Sequence, residues 1–408
     1  MGWGVDLEQI KRWFIEDRLA GGQSMTELCA QYGISRQAGY ALMRRYEVEG
    51  LACLQPRSRA PHRVPWATPA AIRDAVVACR LQHPSWGPKK LKACLERQDP
   101  ETAWPAASTM GDLLTHEGLV RRRRRRRRPL ARTQPFAPVS RANDLWGIDF
   151  KGWFRTQDGQ RCDPLTVTDA HSRALLGCRI CPPTAAGVEP AMERVLQEHG
   201  LPDRLRLDNG PPWGSRGVGG LTRLSVKWLK LGIGLEFIPP GCPQANGRHE
   251  RMHATLKAET LRPPAATPAA QQQRFDAFRR AFNGERPHEA LGQATPASVY
   301  ERSWRGYPAR LPPVTYPEGA TVRRVRSNGE IKWQGELVFV GEALVGEPGV
   351  LEELESGDTR VRFLSVDLAV IDRRSGLARR CAPPRPKPQT SKETPQHQPG
   401  EVSPILPV

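Results

Sequence analysis

The sequence predicts a multidomain chain: helix-turn-helix units at the N-terminus, an α/β core, and a small β-barrel-like domain near the C-terminus. Three patterns predict it. Apolar residues recur at helical spacing through the first 120 residues, with a glycine turn between two of the helices. From about 143 to 303, hairpin strands give way to alternating strands and helices. From about 304 onward only short strands recur, separated by Gly, Asp and Ser.

Composition sets the limits. The 408 residues suffice for roughly two to four domains, and 39 Pro with 37 Gly favour compact domains joined by extended linkers. No run of about 18 apolar residues is present, so no membrane span is expected. The N-terminus lacks the basic and apolar regions of a signal peptide, and a cytoplasmic, nucleoid-associated protein is the expectation. The nine cysteines are scattered; Cys178-x-x-Cys181 has no second pair at zinc spacing and reads as strand residues. Net charge is +18, from 61 Lys+Arg against 43 Asp+Glu. Such a surplus implies a polyanionic partner. Nucleic acid is favoured over membrane, because no basic amphipathic helix with bulky apolar anchors stands out.

Residues 1–60 read as a helix-turn-helix domain with three helices between 5 and 50. Leu7, Ile10 and Phe14 fall on one face of the first, with Trp13 beside them. Ser24-x-x-Glu27 is a capping box for the second. Gly33 makes the turn, Ile34 fills it, and Ser35 caps the third helix, which is expected to bury Ala38, Ala41 and Leu42. Its other face shows Arg36, Gln37, Tyr40, Arg44 and Arg45. Arg and Gln suit guanine and adenine edges in a major groove. The alternative is an ordinary three-helix bundle with a basic exposed face.

Residues 64–120 form a second helical unit. Ile72, Val76 and Cys79 lie on one helix, Leu91, Cys94 and Leu95 on a helix opened by Pro88, and Met110, Leu113 and Leu114 on a third that stops at Gly118. Its candidate reading helix, Ser108 to Glu117, is poor in cations, so packing and base reading both stay open. Residues 121–142 are an arginine-rich linker containing Arg121, Arg122, Arg123, Arg124, Arg125, Arg126, Arg127 and Arg128. Consecutive like charges repel; the run is either a solvated spacer or an arm that lies along DNA phosphates.

In the core, 143–303, Asp149 lies in an apolar strand and Asp208 ends a second strand in which Leu205 and Leu207 alternate with arginines. Glu250 falls in the first turn of a helix from about Asn246-Gly247 to Thr260, with Asn246 as the expected N-cap. Asp158-Gly159 marks a hairpin, 163–169 and 174–180 are strands, and Thr184–His199 is a helix. A helix near Leu221–Leu231 and a strand at Leu235–Ile238 follow. Asp163 and Asp169 are rival carboxylates that more simply stabilise turns. Three carboxylates on rigid elements suit hard divalent cations, and two such ions can activate and stabilise the oxygens of an in-line phosphoryl transfer. His253 and Lys257 share the face of Glu250. Lys257 is placed to hold a phosphate. His253 suits either orienting a water or phosphate or a structural hydrogen bond. His249 and Glu259 are expected to be exposed, and Phe275, Phe278 and Phe282 to be core.

Four motifs carry a resemblance. They are Trp146-x-x-Asp149-Phe150; Leu207-Asp208-Asn209-Gly210; Pro243-Gln244-Ala245-Asn246-Gly247-x-x-Glu250-Arg251-x-His253-x-x-Leu256-Lys257; and Asn283-x-x-Arg286-Pro287-His288-x-x-Leu291-Gly292. Together they resemble the integrase-type core of bacterial insertion-sequence transposases, relatives of retroviral integrases. The resemblance implies a ribonuclease-H-like fold and an Asp149, Asp208, Glu250 triad that is both catalytic and metal-binding. It implies Mg²⁺ or Mn²⁺, two ions per site. It implies cleavage and strand transfer on double-stranded DNA, at element terminal repeats and at target DNA, by a homo-oligomer bridging two ends. The second Asp and the Glu stand farther apart than is usual in that group; the excess is assigned to the glycine-rich stretch Gly214–Gly220. A plain metal nuclease of the same fold, or a DNA-binding regulator descended from a transposase, are the rival readings.

Residues 304–375 are the small β domain, with Asn328-Gly329 as hairpin signal and Arg323, Arg324 and Arg326 suited to non-specific DNA contact. The Pro-rich tail, 376–408, cannot form a core and is expected to be disordered.

Overall fold

The computed structural model describes residues 7–55, 68–120, 138–215, 217–239 and 246–381. The eight arginines from 121 to 128 and the tail beyond 381 lie outside the described residues. The chain divides into two compact units, Met1–Thr68 and Pro69–Val408.

In the first unit, α1 (Leu7–Ala20), α2 (Met25–Gln31) and α3 (Arg36–Glu49) enclose Phe14, Ile15, Leu28, Cys29 and Leu42. The capping box forms: the Ser24 hydroxyl accepts from Glu27 N–H, and the Glu27 carboxylate accepts from Ser24 N–H. Ser35 caps α3 through Ala38 N–H. Two expectations need correction. In α1, Phe14 and Ile15 are buried and Leu7 and Trp13 are exposed. In α3, Gly39 and Leu42 are buried, whereas Ala38 and Ala41 are exposed. Gly39 is the reason. A Cβ there would lie 2.6 Å from Cys29 Sγ and 3.0 Å from Phe14 Cζ, so α3 meets its neighbours backbone-first. Gly39→Val is therefore expected to destabilise this unit by about 1–3 kcal/mol, the usual range for overpacking. Calorimetry of the full chain checks this; an unchanged melting profile would contradict it.

The second unit begins with α4 (Ala70–Gln82), α5 (Pro88–Gln98) and α6 (Ala107–His116), packed around Val76, Cys79, Leu91, Cys94, Met110 and Leu114. They dock on the segment after 284. Lys90 donates to the Pro287 carbonyl, Lys89 pairs with Glu289 at 2.8 Å, and Arg97 donates to the Glu285 carbonyl at 3.4 Å.

The central sheet contains β1 (Trp146–Phe150), β4 (Pro164–Asp169), β5 (Leu175–Ile180), β6 (Arg204–Leu207) and β7 (Gly234–Phe237), in the order β5-β4-β1-β6-β7. β1, β4 and β5 are antiparallel neighbours; β6 and β7 run parallel to β1. A small hairpin of β2 (Phe154–Arg155) and β3 (Arg161–Cys162) turns at Asp158-Gly159. One face is covered by α7 (Ala185–His199), through Val188, Met192, Val195 and Leu196, and by α8 (Arg223–Lys230). The other is covered by α9 (Gly247–Thr260) and α10 (Pro268–Gly284), through Met252, Leu256, Phe275, Phe278 and Phe282. Asn283 fastens α10 to the sheet: its side chain accepts from Leu175 N–H at 2.8 Å and donates to the Leu175 carbonyl at 3.0 Å.

The remaining strands are β8 (Thr321–Arg324), β9 (Glu330–Trp333), β10 (Glu336–Phe339), β11 (Pro348–Glu353), β12 (Thr359–Phe363), β13 (Val366–Ile371) and β14 (Ala378–Arg380). They do not close into a barrel among the described residues. β14-β13-β12-β11-β8 is an open sheet, and β9 and β10 form a separate hairpin. Closure needs the two edge strands to meet. Here Val361, Phe363 and Leu368 instead join the apolar cluster of Leu224 and Trp228, so docking on the core supplies the burial. Asn328-Gly329 lies in a tight turn that leads into β9, with Gly329 N–H donating to the Arg326 carbonyl and Arg326 N–H to the Glu330 carbonyl, and the β9–β10 turn is Gln334-Gly335, both at positive φ. β14 pairs with β13, so the part of the expected disordered tail at 378–380 is ordered strand. The glycine-rich stretch also has a use. Val218 is buried, and a Cβ on Gly219 would lie 3.2 Å from Leu368, so this loop seats β13.

Candidate active site and nucleic-acid interface

β1 and β6 run side by side with Trp146 opposite Leu205 and Gly147 opposite Arg206. The same register carried two residues further sets Asp149 beside Asp208. Both carboxylates then stand at the carboxyl ends of neighbouring parallel strands, where ligand crevices of open α/β sheets form. Asp149 is half-buried, whereas Asp208 and Glu250 are exposed. Burial is the main reason the Asp149 carboxyl is pushed up to about 6. Hydrogen bonds from Asn246 and from Phe150 N–H pull it down; the like charges of Asp208 and Glu250 push it further up. The three carboxylates are thus close enough to repel. Among the described residues, however, no three Asp, Glu, His or Cys side chains converge on one metal position. Their donor chemistry, three anionic oxygens with one raised carboxyl among them, fits a hard divalent cation.

Asn246 does not cap α9. Its side chain makes no cap hydrogen bond; instead Nδ2 donates to Asp149 Oδ2 at 2.6 Å. A residue assigned to helix termination thus ties the start of α9 to the first carboxylate.

His249 is buried, not exposed as expected, and with His253 it explains how α9 is held. Thr166, opposite Asp149 on β4, is the hub. Its Oγ1 lies 3.0 Å from the Asp149 carbonyl, 2.7 Å from His249 Nε2 and 2.7 Å from His253 Nε2. One consistent assignment has the hydroxyl donating to that carbonyl and accepting from both Nε2–H groups. Thr168 Oγ1 then donates to His249 Nδ1 at 3.3 Å. Gly147 sits under this ring; a Cβ there would lie 3.1 Å from Nδ1. Burial keeps both imidazoles neutral: His253 is pulled down to about 4, and His249 is held well below its ordinary value, by burial first and His253 next. The Nε2 of His253 therefore faces Thr166. The periodic signal that missed this is the His249/His253 spacing, one helical turn, facing Thr166-x-Thr168 on a strand.

Lys257 is exposed, and its charge reaches Lys151, whose ammonium is pulled below its ordinary range by burial first and by Lys257 next. Lys151, just beyond β1, adds a second cation that sequence reading passed over. Asp163 and Asp169 behave as turn residues. Arg161 donates to Asp163 at 2.8 Å, and buried Asp169 accepts from Asn143, His171 and Ser172 N–H groups. On α3, Arg36, Gln37, Tyr40 and Arg44 are exposed together; Arg45 is half-buried and pairs with Glu49 at 3.2 Å.

Residues 231–296, which include the Glu250 helix, match the integrase core domain family, and residues 38–114 match a homeodomain-like domain family. The chain is 28% identical over 238 residues to the uncharacterized 39.2 kDa protein of insertion element IS476 from Xanthomonas euvesicatoria. That similarity spans 57% of this chain and 66% of the relative, just under two thirds. The chain is 27% identical over 234 residues to the uncharacterized 31.7 kDa protein of insertion element IS407 from Burkholderia multivorans, across 55% of this chain and 80% of that one. The chain is thus similar to proteins of two insertion elements, and it carries a stretch matching the integrase core domain family. A solved catalytic core of HTLV-2 integrase is 15% identical, covering 40% of this chain and 98% of its own, with a TM-score of 0.32. No helix among the described residues is long and apolar enough to cross a membrane.

Proposed function

We propose that this chain is a transposase that binds the terminal repeats of its element and catalyses metal-dependent DNA cleavage and strand transfer at Asp149, Asp208 and Glu250. The observation that supports it most is the repulsion-coupled set of three carboxylates, two at adjacent strand ends and one on the helix matched to the integrase core. Mg²⁺ or Mn²⁺, as two ions on these oxygens, would supply activation of the attacking oxygen and stabilisation of the leaving one. Asn246 and the Thr166–His249–His253 hub hold α9 against β1 and so fix Glu250 relative to Asp149. Lys257 and Lys151 attract and orient the scissile phosphate. Arg36, Gln37, Tyr40, Arg44 and Arg45 read the terminal repeat, and His253 acts through Thr166 as a positioning residue. Two ends must meet before joining, so a homo-oligomer bridges them, and the site of action is the bacterial nucleoid.

The test is joining of an end-bearing duplex to target DNA by the purified chain with Mg²⁺ or Mn²⁺. Cleavage without joining would instead support a plain nuclease, and binding without either a retired transposase acting as a regulator. Replacing Arg121–Arg128 with Ser is expected to flatten the salt dependence of end binding while leaving preference among end sequences. The logarithmic slope should fall by roughly 0.9 for each phosphate that is no longer neutralised. An unchanged slope would make the run a spacer.

A further inference from the structure

Beside α9 lies a cavity of about 550 Å³ lined by Arg173, Arg248, Arg251, Thr168, Asn246 and His288 among others. Helical spacing puts Glu250, His253 and Lys257 on one face of α9, and Arg248 and Arg251 on another. Arg206 and Arg286, which also line the cavity, are paired with Glu236 at 2.6 Å and Glu259 at 2.7 Å. Arg173, Arg248 and Arg251 are not. Among the described residues they donate only to main-chain carbonyls, Arg173 and Arg248 to Ala170 and Arg251 to Gly247. Of the acidic side chains that line the cavity, Asp169 has its oxygens taken by Asn143, His171 and Ser172, and Glu289 pairs with Lys89 at 2.8 Å.

Three guanidiniums line one cavity, and none of them forms an ion pair among the described residues. Arg173 is pulled down to about 10, by burial first and Arg248 next, with Asp169 acting the other way. Arg173 sits at φ +65 in the turn between β4 and β5, which holds its backbone in place at the cavity edge. A planar fork of N–H donors matches paired phosphate oxygens better than a lysine would.

We propose that Arg173, Arg248 and Arg251 form a second phosphate site, which seats one backbone phosphodiester of the bound DNA beside α9. This rests on the DNA-transposase reading. An anchored phosphate on the same helix as Glu250 fixes the register of the DNA relative to the carboxylates.

The test uses the full-length chain, an end-bearing duplex and a salt series read by fluorescence anisotropy. Arg248→Gln with Arg251→Gln is expected to weaken binding about tenfold and to lower the logarithmic salt slope by about 0.9, one phosphate. Both side chains are exposed, so thermal unfolding should be unchanged; Arg251→Gln alone, expected to weaken binding less, serves if the pair is unstable. Ethylating single backbone phosphates is expected to reveal one position that weakens the wild type and not the double variant. If the wild type binds duplex and the variants match it in affinity and slope, the second site is wrong and the transposase reading stands. If the wild type binds no duplex, both fall. If inorganic pyrophosphate raises the melting temperature of the wild type alone while DNA binding is equal in both, the pocket serves a small free anion and the proposal is overturned.

Discussion

Glu250→Gln is expected to reduce both cleavage and strand transfer by a thousandfold or more, with folding and end binding preserved. Glu250 is exposed on the first turn of α9 and makes no hydrogen bond or ion pair among the described residues. Glutamine therefore keeps its size and leaves the packing untouched, and removes only the anionic oxygen. A thousandfold is about 4 kcal/mol of transition-state stabilisation, at about 1.36 kcal/mol per tenfold. Asp149→Asn and Asp208→Asn should behave alike, and combining them should add little, because groups that act as a unit are not additive. The structure narrows the choice of controls. Asp169 is buried under several hydrogen bonds and Glu259 pairs with Arg286, so changing either risks the fold. Asp163, paired locally with Arg161, is the control of choice. The measurement is Mg²⁺- or Mn²⁺-dependent joining of an end-bearing duplex; near-normal joining by Glu250→Gln would remove it from the site.

Much of this site was readable because it follows from periodicities. The Asp149 strand, the Asp208 strand and the Glu250 helix are short, regular and bounded by Gly, Pro or polar residues, so their existence and order come directly from the residue pattern. Side-chain partners across elements do not. Nothing local says that Asn246 reaches Asp149 rather than the helix end, or that Thr166 receives two histidines from α9. Both follow from sheet order, which places β4 beside β1 under that helix. Ala38 and Ala41 were misplaced for a related reason: small apolar residues mark a helix face only weakly, and Gly39 decided which way α3 turned. The barrel expectation failed because a strand pattern specifies alternation, not whether edge strands close or a neighbouring domain covers the sheet.

The second unit is expected to lose stability steeply between pH 6.5 and about 4.5, before most carboxylates are protonated. His253 and His288 are both pulled from 6.5 to about 4, chiefly by burial, with nearby cations adding: Lys151 for His253, Lys90 and Arg286 for His288. Above pH 6.5 these rings are neutral whether folded or unfolded and have no effect. Below it the unfolded chain takes up protons that the folded chain refuses, so stability falls until the folded rings also protonate near 4. Each ring contributes up to roughly 3 kcal/mol by this linkage. Asp149 opposes them. Its folded carboxyl, raised from 3.8 to about 6, takes a proton earlier than the unfolded one, so its contribution rises as pH falls through that interval. His249, His83 and His199, also lowered chiefly by burial, act in the same direction as His253 and His288, so the rings outweigh the single carboxyl and the net effect is a loss of stability. Urea unfolding at pH 7, 5.5 and 4.5, followed by fluorescence of the buried Trp146, Trp213 and Trp228, reads it directly. His288→Gln should flatten the dependence, and Asp149→Asn should steepen it by removing the opposing group. Stability that is level across this range, or an Asp149→Asn slope shallower than wild type, would show that these groups do not carry their charges as the structure implies.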